Sequence, residues 1–193
     1  EIGDLERSQE RLETAHATSL EAYGPDHKVT LDAAKNLAIT SRRLGRLDQA
    51  YELIMKTNRA YERMRGKDHP DVLACALEVA CVLSARGEHD EACRHADEVL
   101  NRYRENYSKD HLYALAAAND LAIFLMRSGQ RATARPLIEM TAATYSEALG
   151  GGHPSTLVCQ TNLANARFGA GEFTEALRLD RHCHQHLSQA FKH

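Results

Sequence analysis

The sequence is poor in aromatic residues, which make up 6% of its 193 residues, and it contains no tryptophan. It has only four prolines, and no apolar run reaches the ~18 residues that a membrane helix needs. Alanine, leucine, glutamate and arginine dominate instead, which is a helix-forming composition. We therefore predict an all-α protein without membrane contact and exclude an all-β sandwich or barrel.

The chain also lacks an excess of positive charge. Lys and Arg number 24 against 27 Asp and Glu, for a formal net charge of −3. Proteins that bind phosphate backbones are usually basic, so we expect no nucleic acid partner. The five cysteines are odd in number and irregularly spaced. This usage is typical of reduced thiols and indicates a cytoplasmic protein.

An internal repeat of 42 residues organises the chain. Its glycine column extends back to Gly3 at the same spacing. Such a period is the signature of stacked units, each of which buries its apolar face against its neighbours. The five columns of identical residues are His27, His69, His111 and His153; Leu31, Leu73, Leu115 and Leu157; Ala38, Ala80, Ala122 and Ala164; Gly45, Gly87, Gly129 and Gly171; and Ala50, Ala92, Ala134 and Ala176.

Each copy is predicted to form a pair of helices. In the first copy, the apolar spacing predicts helices over about 31–44 and 47–64. Gly45 ends the first of them, because glycine adopts a positive φ at low cost. Residues 1–23 match a second helix without its first, so the sequence begins inside a repeat, and the last helix covers about 172–191. We predict about nine helices and no strands, in copies that cover 24–65, 66–107, 108–149 and 150–193.

The small residues Ala38, Gly45 and Ala50, at this spacing, resemble a tetratricopeptide repeat (TPR). The 42-residue period, the linkers GPDH and GKDHP, and the NLA triplets that end at Ala38 and Ala164 resemble more specifically the long variant of kinesin light chains. The same variant occurs at the C-terminal ends of bacterial signalling proteins, including actinobacterial nucleotide-switch ATPases. The resemblance implies one α-solenoid over residues 1–193, a right-handed superhelix of antiparallel helix pairs.

The resemblance also implies a concave ligand-binding groove, lined by the first helix of each copy. In the family, an asparagine pair before Leu-Ala grips a bound peptide backbone, because one amide both donates and accepts. Asn36, Asn119 and Asn162 retain part of this pattern, whereas Leu77 and Glu78 depart from it. Carried over copy by copy, the groove positions are Lys35, Asn36, Ile39, Arg42, Arg43, Leu77, Glu78, Cys81, Asn119, Asp120, Ile123, Met126, Arg127, Thr161, Asn162 and Asn165.

The expected groove changes in chemistry along its length. The first copy is basic through Lys35, Arg42 and Arg43, whereas Leu77 and Met126 further along are apolar. A matching protein or peptide segment is acidic near one end and apolar in the centre. The alternative is that Arg42 and Arg43 form a solvated helix end, where arginine also suits the helix dipole.

Three other features resemble reactive sites. The histidine column recurs with the linker, which predicts a structural role in capping or packing. His182 and His186 have an i, i+4 spacing that can hold zinc, but a closed site needs about four ligands, and Cys183 falls in a packing column. The segment 150–156 lacks the lysine of a phosphate-binding loop. We therefore predict no catalytic residue, no metal and no cofactor.

These observations leave three classes of function. The leading hypothesis is a non-catalytic module that binds a peptide or protein segment in the concave groove. The alternative is a sensor or regulatory arm of a larger multidomain signalling ATPase, acting through intramolecular or oligomeric contacts. The third is a metal-dependent or enzymatic role, which depends only on the His-rich last helix. Residues 1–23 lack their partner helix, so we expect an exposed apolar edge there that favours a homo-oligomer.

Overall fold

A computed structural model describes residues 2–190, and all regular structure in this range is α-helical. Within it, nine helices confirm the all-α prediction and the helix count. No helix among these residues is long and apolar enough to cross a bilayer. The predicted end of the last helix at 191 lies outside the described residues. The helices are α1 (Ile2–Tyr23), α2 (Lys28–Arg43), α3 (Leu47–Arg65), α4 (Pro70–Ala85), α5 (His89–Asn106), α6 (Leu112–Arg127), α7 (Arg131–Leu149), α8 (Pro154–Gly169) and α9 (Phe173–Ala190).

The helices pack as sequential antiparallel pairs within two compact units. The first unit contains α1 to α5 and ends at Asn106, and the second contains α6 to α9 and begins at Tyr107. Inside the first unit, α2 also contacts α4, so the first helices of neighbouring copies lie side by side. The same holds for α6 and α8 inside the second unit. One solenoid over residues 1–193 stays a prediction.

The histidine column caps the first helices, which confirms its structural role. At His27, His69, His111 and His153 the backbone is extended, and the ring Nδ1 accepts a hydrogen bond of 3.1–3.3 Å from the backbone N–H two residues ahead. This bond satisfies one of the N–H groups that have no partner inside the first turn. The first helices therefore begin directly after the histidine, earlier than the apolar spacing predicted.

Removing one of these caps is expected to destabilise the protein. In His69→Ala the backbone N–H of Asp71 loses its acceptor, and the free energy of unfolding should fall by about 1 kcal/mol. His69→Asn keeps an acceptor at the cap position and should preserve the stability. Urea denaturation followed by circular dichroism measures both variants. Equal losses in the two would contradict the capping role.

The glycine column ends the first helices in the left-handed conformation. Gly45, Gly87, Gly129 and Gly171 have φ values between 76° and 86°. In each case the N–H of the following residue reaches back to the carbonyl five positions earlier, as Arg46 does to Ser41 at 2.9 Å. This bond closes the helix end and turns the chain into the second helix. Gly3 shares only the spacing, because it lies inside α1 and is not among the positive-φ glycines.

Two columns join the helices within each copy. Ala50, Ala92 and Ala134 have no exposed surface, so each second helix can approach its neighbours closely.

A tyrosine column, which was not predicted from the sequence, ties each second helix to the start of its own first helix. The hydroxyls of Tyr61, Tyr103 and Tyr145 donate to the Asp32 carboxylate at 2.5 Å, the Pro70 carbonyl at 3.4 Å and the Leu112 carbonyl at 3.4 Å.

Part of the apolar edge expected for residues 1–23 is exposed at the end of α1, where Leu20 is 42% and Tyr23 is 59% exposed. Leu5 and Leu12 are half-buried on the side of α1 that packs against α2. The opposite side carries exposed polar residues, among them Arg7 and Arg11. α2 thus covers the first part of the apolar stripe of α1 and leaves its end exposed, and a homo-oligomer stays a prediction.

Candidate functional site

The predicted groove positions lie on the first helices, and the two units divide them into two sets. Asn36, Arg43, Arg127, Thr161 and Asn165 are exposed, and most of the others are half-buried. We call the sets the first-unit face and the second-unit face. The first-unit face consists of Lys35, Asn36, Ile39, Arg42 and Arg43 on α2 and Leu77, Glu78 and Cys81 on α4; the second-unit face consists of Asn119, Asp120, Ile123, Met126 and Arg127 on α6 and Thr161, Asn162 and Asn165 on α8.

Carboxylates offset much of the positive charge on the first-unit face. Arg42 Nη2 lies 3.5 Å from Glu78 Oε2 on the neighbouring first helix. Lys35 Nζ lies 3.9 Å from Asp32 Oδ1, and Asp32 also accepts a 2.6 Å hydrogen bond from Lys28. The sequence predicts a basic end here because these ion pairs, of which one joins different copies, cannot be read from the repeat pattern. In the structure, Arg43 is the predicted groove cation here that makes no ion pair with the described residues.

The surroundings of Glu78 shift its pKa. Burial between α2 and α4 raises the pKa of Glu78, and Arg42 and Lys35 only partly oppose this shift. A raised pKa means that the ionised carboxylate is held at some cost to folding. An ion pair that joins two neighbouring copies at such a cost is weak evidence for stability. The ion pair with Glu78 does, however, fix the position of the Arg42 side chain on the first-unit face.

On the second-unit face, two of the three predicted asparagines bind each other. Asn162 Nδ2 donates to Asn119 Oδ1 at 3.1 Å, and Asn119 Nδ2 donates to Asp120 Oδ1 at 3.4 Å. Asn119 is only 7% exposed. Its amide therefore links α6 to α8 rather than standing free for a ligand. Asn165, one turn further along α8, is the exposed amide on this face.

A cleft of about 530 Å³ opens on the second unit and brings together five predicted residues. Its walls come from α6, from the start of α7 and from α8. No aspartate or glutamate is among its lining residues, whereas amides, cations and apolar side chains all are. The five are Ile123, Met126, Arg127, Asn162 and Asn165.

Two arginines that the sequence analysis missed also line this cleft. Arg131 and Arg135 lie in the first two turns of α7, a second helix, whereas the predicted groove positions are all on first helices. Arg135 Nη1 lies 2.6 Å from Glu172 and its Nε 3.3 Å from Glu139, so part of its charge is offset. The sequence does carry a signal for a ligand-binding role at these two positions, because the residue type there differs from copy to copy.

The α8 side of the second-unit face ends in exposed aromatic surface. Phe168 is 64% exposed and Phe173 is 60% exposed, and their rings meet edge-on at 5.2 Å. Val158, one of the variable positions further back along α8, is 58% exposed. The second-unit face therefore combines amide groups, cations and accessible apolar surface, which is the mixture that protein interfaces use.

The histidine pair near the C-terminal end packs against the last linker. The rings of His182 and His186 lie 4.5 Å apart, and a Cβ added to Gly152 would come within 3.0 Å of His186 Nδ1. The glycine-rich segment thus makes room for an imidazole ring. Cys183 is buried and donates to the Leu157 carbonyl at 3.6 Å, which agrees with its packing column. Among the described residues, no group of three or more potential metal ligands converges.

Comparison with known proteins agrees with this architecture. A profile of the tetratricopeptide repeat family matches residues 33–105 and 113–189, which together are more than half of the chain. The chain is a TPR protein. A comparison of this TPR protein with curated proteins gave no match.

Solved structures place its repeats with those of kinesin light chains. One similar crystal structure shows nearly identical TPR-like repeats of a protein described as a kinesin light chain of Podosopora anserina. Its sequence is 26% identical to this chain, and the TM-score is 0.70 over 97% of this chain and 89% of that one. A point variant of the same protein gives a TM-score of 0.73 at 26% identity, over 99% and 90%. BtubC (BKLC) from P. vanneervenii shares the fold, with a TM-score of 0.74 at 16% identity over 99% and 76%. TPR repeats are generally protein–protein interaction modules and are typically non-catalytic.

Proposed function

We propose that this TPR protein is a non-catalytic module that binds a peptide or protein segment along the exposed face of its first helices. The cleft on the second unit is the observation that carries the proposal, because it joins amides, cations and apolar side chains in one concave surface. An extended segment can use such amides for its backbone and the apolar positions for its side chains.

Reactive chemistry has little support in the two buried cysteines of the first helices α4 and α8. Burial raises the pKa of the Cys75 and Cys159 thiols to about 12, so both stay protonated and unreactive near neutral pH. None of the five cysteines, all of which lie among the described residues, forms a disulfide bond. We therefore infer a binding protein that works in a reducing compartment such as the cytoplasm.

Substitutions on the two faces test the proposal. Asn36→Ala with Arg43→Ala removes exposed groups from the first-unit face, and Thr161→Ala with Asn165→Ala does so on the second-unit face. Both pairs are preferable to Asn119→Ala, which would also break the bond to Asn162. Immobilised wild-type and variant proteins are exposed to lysate of the source organism, and the retained proteins are identified by mass spectrometry.

The retained partner is then divided into overlapping peptides, and their Kd values are measured by fluorescence anisotropy. We expect at least one face variant to weaken binding tenfold or more, which corresponds to about 1.4 kcal/mol. Glu98→Ala with Asn101→Ala, two exposed positions on α5, is the matched control and should bind like the wild type. Equal affinity of the wild type and both face variants would contradict the proposal.

A further inference from the structure

A second groove lies on the first unit between the second helices α1 and α3. α2 packs against both helices, while α1 and α3 stay more than 8 Å apart in Cα positions. The space between them has a volume of about 780 Å³. We call it the outer groove; its lining residues include His16 and Leu20 on α1, Ala34 on α2, and Leu53, Lys56 and Arg59 on α3.

The outer groove is separate from the first-unit face. Leu31 and Ala34 form its floor, and none of its lining residues belongs to the first-unit face. Asn36 and Arg43, the exposed α2 members of that face, lie about 120° or more around the helix from both floor residues. A ligand in the outer groove therefore does not occupy the proposed binding face. Binding in the outer groove and binding on the first-unit face can therefore be measured independently.

The floor of the outer groove is apolar, and each of its two walls carries a leucine. Leu31 and Ala34 are only 4% and 3% exposed, so they close the bottom. Leu20 is 42% exposed on the α1 wall, and Leu53 is half-buried on the α3 wall. Apolar side chains of a ligand would thus find contacts with the floor and with both walls.

The α3 rim of the outer groove is cationic. Lys56 and Arg59 are exposed, and neither forms an ion pair with the described residues. Arg63, one turn on, lies 2.9 Å from Asp26, so its charge is offset. Burial and the nearby Lys56 lower the pKa of His16, which keeps the imidazole neutral near neutral pH. Two carboxylates, Asp26 and Glu52, are also among the lining residues of the groove, against the three cations Lys56, Arg59 and Arg63.

Other copies of the repeat do not reproduce these features. At the positions of Lys56 and Arg59, the second copy has Glu98 and Asn101 and the third has Met140 and Ala143. The position of Leu20 is taken by Glu62 and Arg104 in the next two copies. The cations and the exposed leucine are therefore not required by the repeat architecture.

We propose that the outer groove binds an amphipathic helix of a partner protein whose apolar stripe is flanked by carboxylates. Two helical walls over an apolar floor suit a ligand that presents side chains at helical spacing. The α3 wall from Glu52 to Arg63 is about 17 Å long at 1.5 Å per residue, so it spans about three turns of a bound helix. The carboxylates would face Lys56 and Arg59, which makes the association sensitive to salt.

A displayed library of random 16-residue peptides tests this proposal. The wild-type protein is immobilised, and the Lys56→Glu/Arg59→Glu variant is present in solution as a competitor in excess. Only peptides that depend on the two cations survive this selection. We expect the survivors to be net acidic and to carry apolar residues at i, i+3 or i+4 spacing. No survivors, or survivors that are neutral or basic, would overturn the proposal.

Three further variants define where the selected peptides bind. Leu20→Asp should weaken binding at least tenfold, because it puts a charge on the apolar wall. Asn36→Ala/Arg43→Ala should bind like the wild type, which separates this site from the first-unit face. Lys67→Glu/Lys109→Glu makes the same change in net charge on exposed linkers and should have little effect. If this control weakens binding as much as Lys56→Glu/Arg59→Glu, the attraction is general and the outer groove is not the site.

Discussion

Replacing Leu73 with alanine is expected to lower the free energy of unfolding by about 2–5 kcal/mol. Leu73 belongs to the leucine column and has no exposed surface. Its removal loses the transfer free energy of the buried side chain, and neighbouring helices that are fixed by their own contacts can close the cavity only in part. Urea denaturation, followed by circular dichroism at 222 nm, measures the change.

Leu177→Ala is the control for this experiment. It is the same chemical change within a helix, but Leu177 is 50% exposed, so we expect a change within about 0.5 kcal/mol. A similar loss in both variants would contradict the assignment of the leucine column to the core. If the Leu73→Ala protein fails to fold, Leu73→Val takes its place, because valine leaves a smaller cavity. The free energy of unfolding of Leu73→Val should be lower than that of the wild type.

Replacing Pro136 with arginine is expected to stabilise the protein by up to about 3 kcal/mol. Pro136 is exposed and lies inside α7, at the sixth residue of that helix. Because proline has no N–H, the carbonyl of Ala132 lacks its helical partner. The second and fourth copies have Arg94 and Arg178 at this position. Arginine is therefore compatible with the repeat and restores the missing hydrogen bond.

The reciprocal change supplies the control. Arg94→Pro introduces the same defect into α5 and should destabilise the protein by about 3 kcal/mol. Thermal and urea unfolding of both variants measure the two shifts. If Pro136→Arg leaves the stability unchanged while Arg94→Pro lowers it, α7 has adapted to its proline, and the expected gain is wrong.

The repeat itself could be predicted because its signals are local or strictly periodic. The histidine caps, the glycine helix ends and the leucine and alanine columns each act within one helix or one turn. Four copies of each signal reinforced one another, so the helix pairs followed from the spacing alone. Even the small error at the start of the first helices has a local cause, since an N-cap histidine begins the helix before the first apolar residue.

The chemistry of the two faces could be predicted only in part. Lys35 and Arg42 were correctly placed on α2, but the carboxylates beside them were not foreseen. Asn119 and Asn162 come from different copies and bind each other, which no pattern within one copy reveals. Arg131 and Arg135 were missed because the resemblance assigns ligand contacts to first helices only.

The sequence by itself determined the all-α fold, the helix pairs, the caps and the buried columns, because these depend on backbone geometry and on apolar periodicity. The tertiary structure decided which charges are offset, which amides remain exposed and where concave surfaces form. Those properties depend on how closely side chains from different helices approach one another. The outer groove is of this kind, since Leu20 and Lys56 line one surface only after α2 has brought α1 and α3 to either side of it.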